Sequence, residues 1–444
     1  MPRISAIDVI DVRFPTSATL AGSDAMHPDG DYSAAYVVLG TDTDLSGHGL
    51  SFTIGRGTDL CVQAARQIAG PLLGRDVDDL ATTLGPTYRQ LTGDSQLRWL
   101  GPEKGVVHLA AAAVLNAVWD LVARQAGKPV WRFVAEMPPA DLVAACDFRY
   151  LSDLLTRGEA EEMLERLAPG RATRIEHLAE VGYPGYTSGP GWLGYPDDKL
   201  RRLCREATAD GWSAIKIKVG ADITDDKRRL AIARQELGPD GTLLMDANQV
   251  WEVAGAITWV NELAQFAPLW IEEPTSPDDI AGHARIRAEV APVRVATGEH
   301  AHNRVMFKQL LAAGALDYCQ IDSCRLASVN EIVPVLLMAA KLGVPVCPHA
   351  GGVGLCELVQ HLAIVDYVCI SGTMEGRLLE YVDNLHEHFT SPVRVVRGRY
   401  RLPSDPGFGV RMRPESLATF RYPDGAYWRD ARSREENAES RLHR

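Results

Sequence analysis

Lys218, Asp246, Glu272, Glu299, Asp322 and His349 follow one another at intervals of 28, 26, 27, 23 and 27 residues. Each lies at the close of a short apolar run: SAIKIKVG, TLLMDAN, PLWIEEP, VRVATGE, YCQID and PVCPH, in that order. A strand, a helix and their two loops take roughly 25 residues, so the rhythm is that of a (β/α) barrel of the TIM type. Strand ends converge at one mouth in that fold, which gathers a lysine, several carboxylates and a histidine.

Three acids in one pocket require a cation. Asp246, Glu272 and Glu299 offer hard oxygen donors, and Mg²⁺ suits them better than zinc. Glu272 and Glu273 are adjacent, so strand alternation sends them to opposite sides. Registration with the other acids favours Glu272 in the barrel, with Glu273 supporting from behind. Asn248, two residues after Asp246, is expected on the same side and within reach of substrate or metal. Lys216 and Lys218 alternate with Ile215, Ile217 and Val219, so both ammoniums share one face. Mutual repulsion and lost hydration are expected to lower both pKa values, the direction a lysine base needs. Asp322 and His349 close neighbouring strands. They are expected to form a dyad in which the carboxylate holds the imidazole tautomer and raises its pKa.

The elements that must position these groups begin with a small α+β domain. Residues 4–14 and 33–40 alternate as strands, and 57–72 and 105–126 read as helices, the second stopping near Gly127 and Pro129. The barrel is expected to start with the strand-like run at 142–150. The Gly/Tyr/Pro-rich stretch within 155–197 reads as a surface insertion, and alternating strands and helices fill 198–384. The last barrel strand falls either at YVCISG or in the stretch up to Leu379. The expected division is 1–135 for the first domain, 136–384 for the barrel, 385–425 for a segment returning to the first domain, and 426–444 for a frayed polar tail.

The chain of 444 residues is long enough for two domains, and a net charge of −12 argues against nucleic acid or an anionic membrane as partner. Its eight cysteines include no CxxC pair and read as buried free thiols of a reducing compartment. The N-terminus lacks a signal-peptide core, and no apolar run approaches the roughly 20 residues of a membrane span. A cytoplasmic protein is the expectation.

KIK at 216–218, LMDAN, WIEEP, ATGE, QID and CPHAGG together resemble the enolase superfamily, specifically its mandelate racemase subgroup. Coverage runs from residue 4 to about 415 and includes the loop LAGSDAMHPDGDY of the first domain, which in that family caps the barrel. The resemblance implies Mg²⁺ on Asp246, Glu272 and Glu299, with Lys218 and His349 as opposing acid/base groups and Asp322 as partner of His349. It also implies that Lys216 meets the substrate carboxylate. Gly22, Ser23, Asp24 and Tyr32 would close over the substrate, and Glu380 (rather than Glu375) matches a carboxylate-contacting acid. The implied activity is dehydration of an acid sugar, with L-fuconate expected, to its 2-keto-3-deoxy acid. A racemase or epimerase, a lactone cycloisomerase and a non-catalytic binding barrel are the rival readings. A homo-oligomer is expected.

Overall fold

The computed structural model describes residues 2–101 and 103–442. Strands β1 (Ile4–Arg13), β2 (Ser33–Thr41) and β3 (Ser46–Thr53) form an antiparallel sheet in the order β1-β2-β3. The helix Thr58–Ala69 and the long helix Gly105–Gln125 pack on it. The long helix is apolar on nearly every face because both faces are covered: Ala110 to Ala123 are all buried. By length and composition it could cross a membrane, contrary to the expectation that no run comes near that length, but 83% of its apolar window is buried inside the protein.

The helix approaches β3 so closely because of two glycines. A Cβ on Gly47 would stand 2.4 Å from the Ala117 carbonyl oxygen, and one on Gly49 would stand 2.3 Å from the Ala113 carbonyl oxygen and the Ala117 nitrogen. Helix backbone cannot yield as a side chain can. Gly49→Ala is therefore expected to cost about 1–3 kcal/mol by overpacking, measurable as a lowered denaturant midpoint.

The barrel is a ring of parallel pairings. Strand β4 (Tyr183–Gly191) pairs with β5 (Ala214–Lys218), followed by β6 (Thr242–Asp246), β7 (Trp270–Glu272), β8 (Arg294–Thr297) and β9 (Tyr318–Cys319). A Cys319–Val346 bridge continues the ring, the Glu380 N–H donates to the Pro348 carbonyl (3.2 Å), and β10 (Leu379–Tyr381) returns to β4. Lys218, Asp246 and Glu272 lie side by side in register.

The structure corrects two expectations about the barrel and decides between the alternatives of a third. The run near 142–150 is not a strand: Pro139–Ala145 is a helix begun by two prolines, and short apolar runs do not distinguish the two states. The expected surface insertion instead contains β4, the ring's first strand, preceded by the helices Arg157–Leu167 and Arg171–Val181. Its glycines answer crowding: a Cβ at Gly191 would lie 2.0 Å from the Lys216 carbonyl oxygen, and the β4–β5 register shifts between Thr187 and Gly191, where Pro190 sits. Of the two places for the last strand, YVCISG forms a wide helical turn (Asp366–Ser371) and Leu379–Tyr381 the strand.

After the ring, Val395–Val396 and Arg399–Tyr400 form a hairpin beside β4. The chain then meets the first domain. The Val130 N–H donates to the Gly407 carbonyl, the Phe408 N–H to Asp120, the Met412 N–H to the Tyr36 hydroxyl and the Tyr422 N–H to the Asp11 carbonyl. The polar tail is not frayed at its start. Rich in Ala, Arg and Glu, all good helix formers, it makes the helix Ala426–Leu442, tied down by the Trp428 indole N–H on the Arg13 carbonyl (3.1 Å). All eight cysteines are buried and unpaired.

Candidate active site

A cavity of about 310 Å³ opens between the first domain and the strand ends. Lys218, Asn248, Glu299, Asp322, His349 and Glu380 line it from the barrel, and Gly22, Asp24 and Tyr32 from the capping loop. Ser23 is buried beside them, its carbonyl accepting from the Leu193 N–H (3.0 Å), and it is not part of the lining.

Beneath the cavity floor, charges alternate. Lys216, fully buried, reaches Glu272 (2.7 Å), Glu380 (2.8 Å) and Asp246 (3.2 Å). Lys218 reaches Asp246 at 2.6 Å. Burial alone would lower both lysine pKa values, as would their mutual repulsion. Both are instead raised, Lys216 chiefly by Glu272 and Glu380, Lys218 chiefly by Asp246. The expected downward direction is thus reversed, because acids outnumber the two ammoniums.

Asp246, Glu272 and Glu299 present one oxygen each, all within 4.8 Å of one another. Burial and like charge push Glu272 and Glu299 upward, whereas the two lysines outweigh the burial of Asp246 and pull it down. Glu272 Oε2 and Glu299 Oε2 are buried without a hydrogen-bond partner. Orphaned carboxylate oxygens converging on a further carboxylate make a donor set that fits a hard divalent cation.

The dyad forms as expected. His349 Nδ1 lies 2.7 Å from Asp322 Oδ2, and Asp322 Oδ1 accepts the N–H groups of Cys324 and Arg325. Burial opposes charge on His349, but Glu299, the bond to Asp322 and nearby Glu380 outweigh it and raise its pKa to about 10. Its Nε2 lies 3.7 Å from Glu299 and 3.8 Å from Glu380. Glu380 is fixed by the Ser188 hydroxyl and the Ala350 N–H (2.9 Å), whereas Glu375 lies outside the cavity lining.

Two placements depart from strand alternation. Glu273 has a left-handed backbone (φ 43°) just past the end of β7, and its carboxylate meets His300 (2.8 Å) rather than the back of the strand. Asn248 also turns left-handed (φ 46°), its N–H donates to Asp246, and it reaches the cavity by that turn rather than by continuing the strand. Cavity-lining His27, Trp192, His300 and Arg325 went unread in the sequence. His300 had one available signal, its place directly after Glu299.

The N-terminal domain model of mandelate racemase and muconate lactonizing enzyme matches residues 16–134, and the enolase C-terminal domain-like model matches 199–416. With the human protein mitochondrial enolase superfamily member 1, the chain shares 55% identity over 439 residues, 98% of this chain and 99% of that one. The crystal structure of that human protein matches with a TM-score of 0.95, covering 97% of this chain and 98% of the other. The chain belongs to the enolase superfamily, in its mandelate racemase/muconate lactonizing enzyme branch. L-galactonate dehydratase from Hypocrea jecorina is 52% identical over 425 residues, 94% of each protein. A more distant structure, L-talarate/galactarate dehydratase from Salmonella typhimurium liganded with Mg and L-lyxarohydroxamate, shares the fold (TM-score 0.72, 24% identity, covering 94% of this chain and 92% of that one). These matches bear out the family and, at a coarse level, acid-sugar chemistry. None of these three relatives is named for L-fuconate, and the matches do not single out that substrate.

Proposed function

We propose that this protein is a Mg²⁺-dependent acid-sugar dehydratase acting on L-fuconate. The observation that carries the reading is one cavity with Lys218 and the Asp322–His349 dyad on strands well apart around the ring, and a triple carboxylate set that reaches the cavity through Glu299. Asp246, Glu272 and Glu299 would hold the metal, which when bound would supply Lewis-acid stabilisation of the substrate carboxylate and positive charge that returns the lysines toward the neutral amine.

The rest is the work of side chains. Lys216 and Glu380 set the charge beneath the substrate carboxylate. Lys218 Nζ takes the proton from C2, and the charge that develops on the carboxylate is what the surrounding cations stabilise beyond the ground state. Pairing a Lys or His base with Mg²⁺ is the general pattern of this superfamily. His349, its charged form supported by Asp322 on Nδ1, delivers a proton from Nε2 to the departing C3 hydroxyl. Water leaves, and the enol becomes the 2-keto-3-deoxy acid. Gly22, Ser23, Asp24 and Tyr32 belong to the loop that covers the sugar.

L-Fuconate is L-galactonate without its C6 hydroxyl, so the 52% identity to an L-galactonate dehydratase supports this configuration. A screen of acid sugars with Mg²⁺, read as 2-keto acid by semicarbazide, tests the reading. L-Fuconate is expected to be dehydrated fastest, excess EDTA to abolish turnover, and added Mg²⁺ to restore it. Full activity in EDTA would overturn the metal. A product inverted at C2 with no keto acid would make the protein an epimerase.

A further inference from the structure

Besides His349, the cavity contains His300 on a buried carboxylate, and dehydration as proposed gives this imidazole no role. His300 follows Glu299 directly and lines the cavity with its side chain 24% exposed. Its Nδ1 lies 2.8 Å from Glu273 Oε1, and Glu273 is fully buried. The Gln249 side-chain amide donates to the other Glu273 oxygen (2.9 Å) and stands 2.7 Å from Nδ1, while the Gln249 backbone N–H donates to the Glu273 carbonyl (2.7 Å). A carboxylate only accepts, and the Gln249 amide has its own acceptor in the other Glu273 oxygen, so Nδ1 donates to Glu273 and carries the ring proton. Nε2 is left with no partner among the described residues, on a ring that faces the cavity.

The backbone around this group is unusual. Asn248 (φ 46°), Gln249 (φ 70°) and Glu273 (φ 43°) are all left-handed and none is glycine. Such conformations are uncommon and persist where the surroundings enforce them, often at functional sites. Here they swing Glu273 off its strand and onto His300.

We propose that His300 is a substrate-contacting residue whose Nε2 accepts a hydrogen bond from a hydroxyl of the acid sugar, with Glu273 and Gln249 as the residues that position it. The proposal rests on the dehydratase reading. His300 and His349 then differ in function. His349 gives a proton to the leaving group, and His300 orients the substrate without exchanging one.

The test uses the full chain with Mg²⁺ and L-fuconate or whichever acid sugar the screen selects. His300→Ala is expected to lower kcat/KM roughly 10- to 100-fold, as for one lost buried hydrogen bond. His300→Gln places an amide near the Nε2 position and is expected to recover much of that loss. Glu273→Gln should fall between, with its larger effect on KM. A purely structural role predicts that Gln does no better than Ala, and that result, or an Ala variant within about threefold of wild type, overturns the proposal while the dehydratase reading stands. If wild type dehydrates no acid sugar, the dehydratase reading falls. Calorimetric binding of L-fuconate and L-galactonate with Mg²⁺ then decides His300: weaker binding by the Ala variant keeps the contact, and equal or absent binding ends it.

Discussion

Lys218→Ala is expected to lose dehydration by a factor on the order of 10,000 and, with it, exchange of the C2 hydrogen with deuterated solvent. Lys218 is the lysine that lines the cavity, whereas Lys216 lies fully buried among Glu272, Glu380 and Asp246. A positioned base contributes about 100- to 10,000-fold, and with no second amine facing C2 the upper end applies. The substitution also removes the closest partner of Asp246, at 2.6 Å. Removing one member of a buried pair can cost several kcal/mol, so thermal unfolding must accompany the kinetics. A folded variant that still exchanges the C2 hydrogen at the wild-type rate would show that another group is the base, and the role of Lys218 would reduce to holding Asp246.

What the sequence revealed of this site depended on regular backbone. Lys218, Asp246 and Glu272 were legible because they sit in paired strands whose register follows from period and interval. Asp322 and His349 were legible by the same spacing although the backbone around them forms hardly any ladder: β9 has two residues, and the next ring position is a single bridge at Val346. Legibility failed where the chain leaves extended geometry. Alternation could not place Glu273 or Asn248, whose φ angles are positive, and so His300 was missed with the carboxylate that holds it. β4 was missed for a compositional reason: YPGYTSGPG has the residues of a loop, and only the crowding of Leu379 and Lys216 against Gly185 and Gly191 shows why a strand needs them. The lysine pKa direction failed on accounting of charge. Two neighbouring ammoniums repel, but three or more buried acids around them decide the sign.

His349→Asn separates the two halves of the reaction. The variant is expected to lose dehydration by roughly 1,000-fold or more while retaining C2 hydrogen exchange within about tenfold of wild type. Asparagine keeps a polar group near Nδ1, so the contact with Asp322 (2.7 Å in the parent) can be kept, but it has no atom at Nε2 and no proton to give at neutral pH. Lys218 remains, so the C2 proton is still taken and returned, and with no acid for the C3 hydroxyl the intermediate collapses back to substrate carrying solvent deuterium. Mass spectrometry of recovered substrate reads this directly. Loss of exchange together with dehydration, in a variant that melts like the parent, would mean that His349 acts before or during proton removal, and its assignment as acid for the leaving group would fall. Exchange with inversion at C2 in the parent protein would place His349 opposite Lys218 as the second base of an epimerase. The 2.7 Å contact of Asp322 with Nδ1 favours the acid, because a carboxylate there supports the charged imidazole that gives its proton from Nε2.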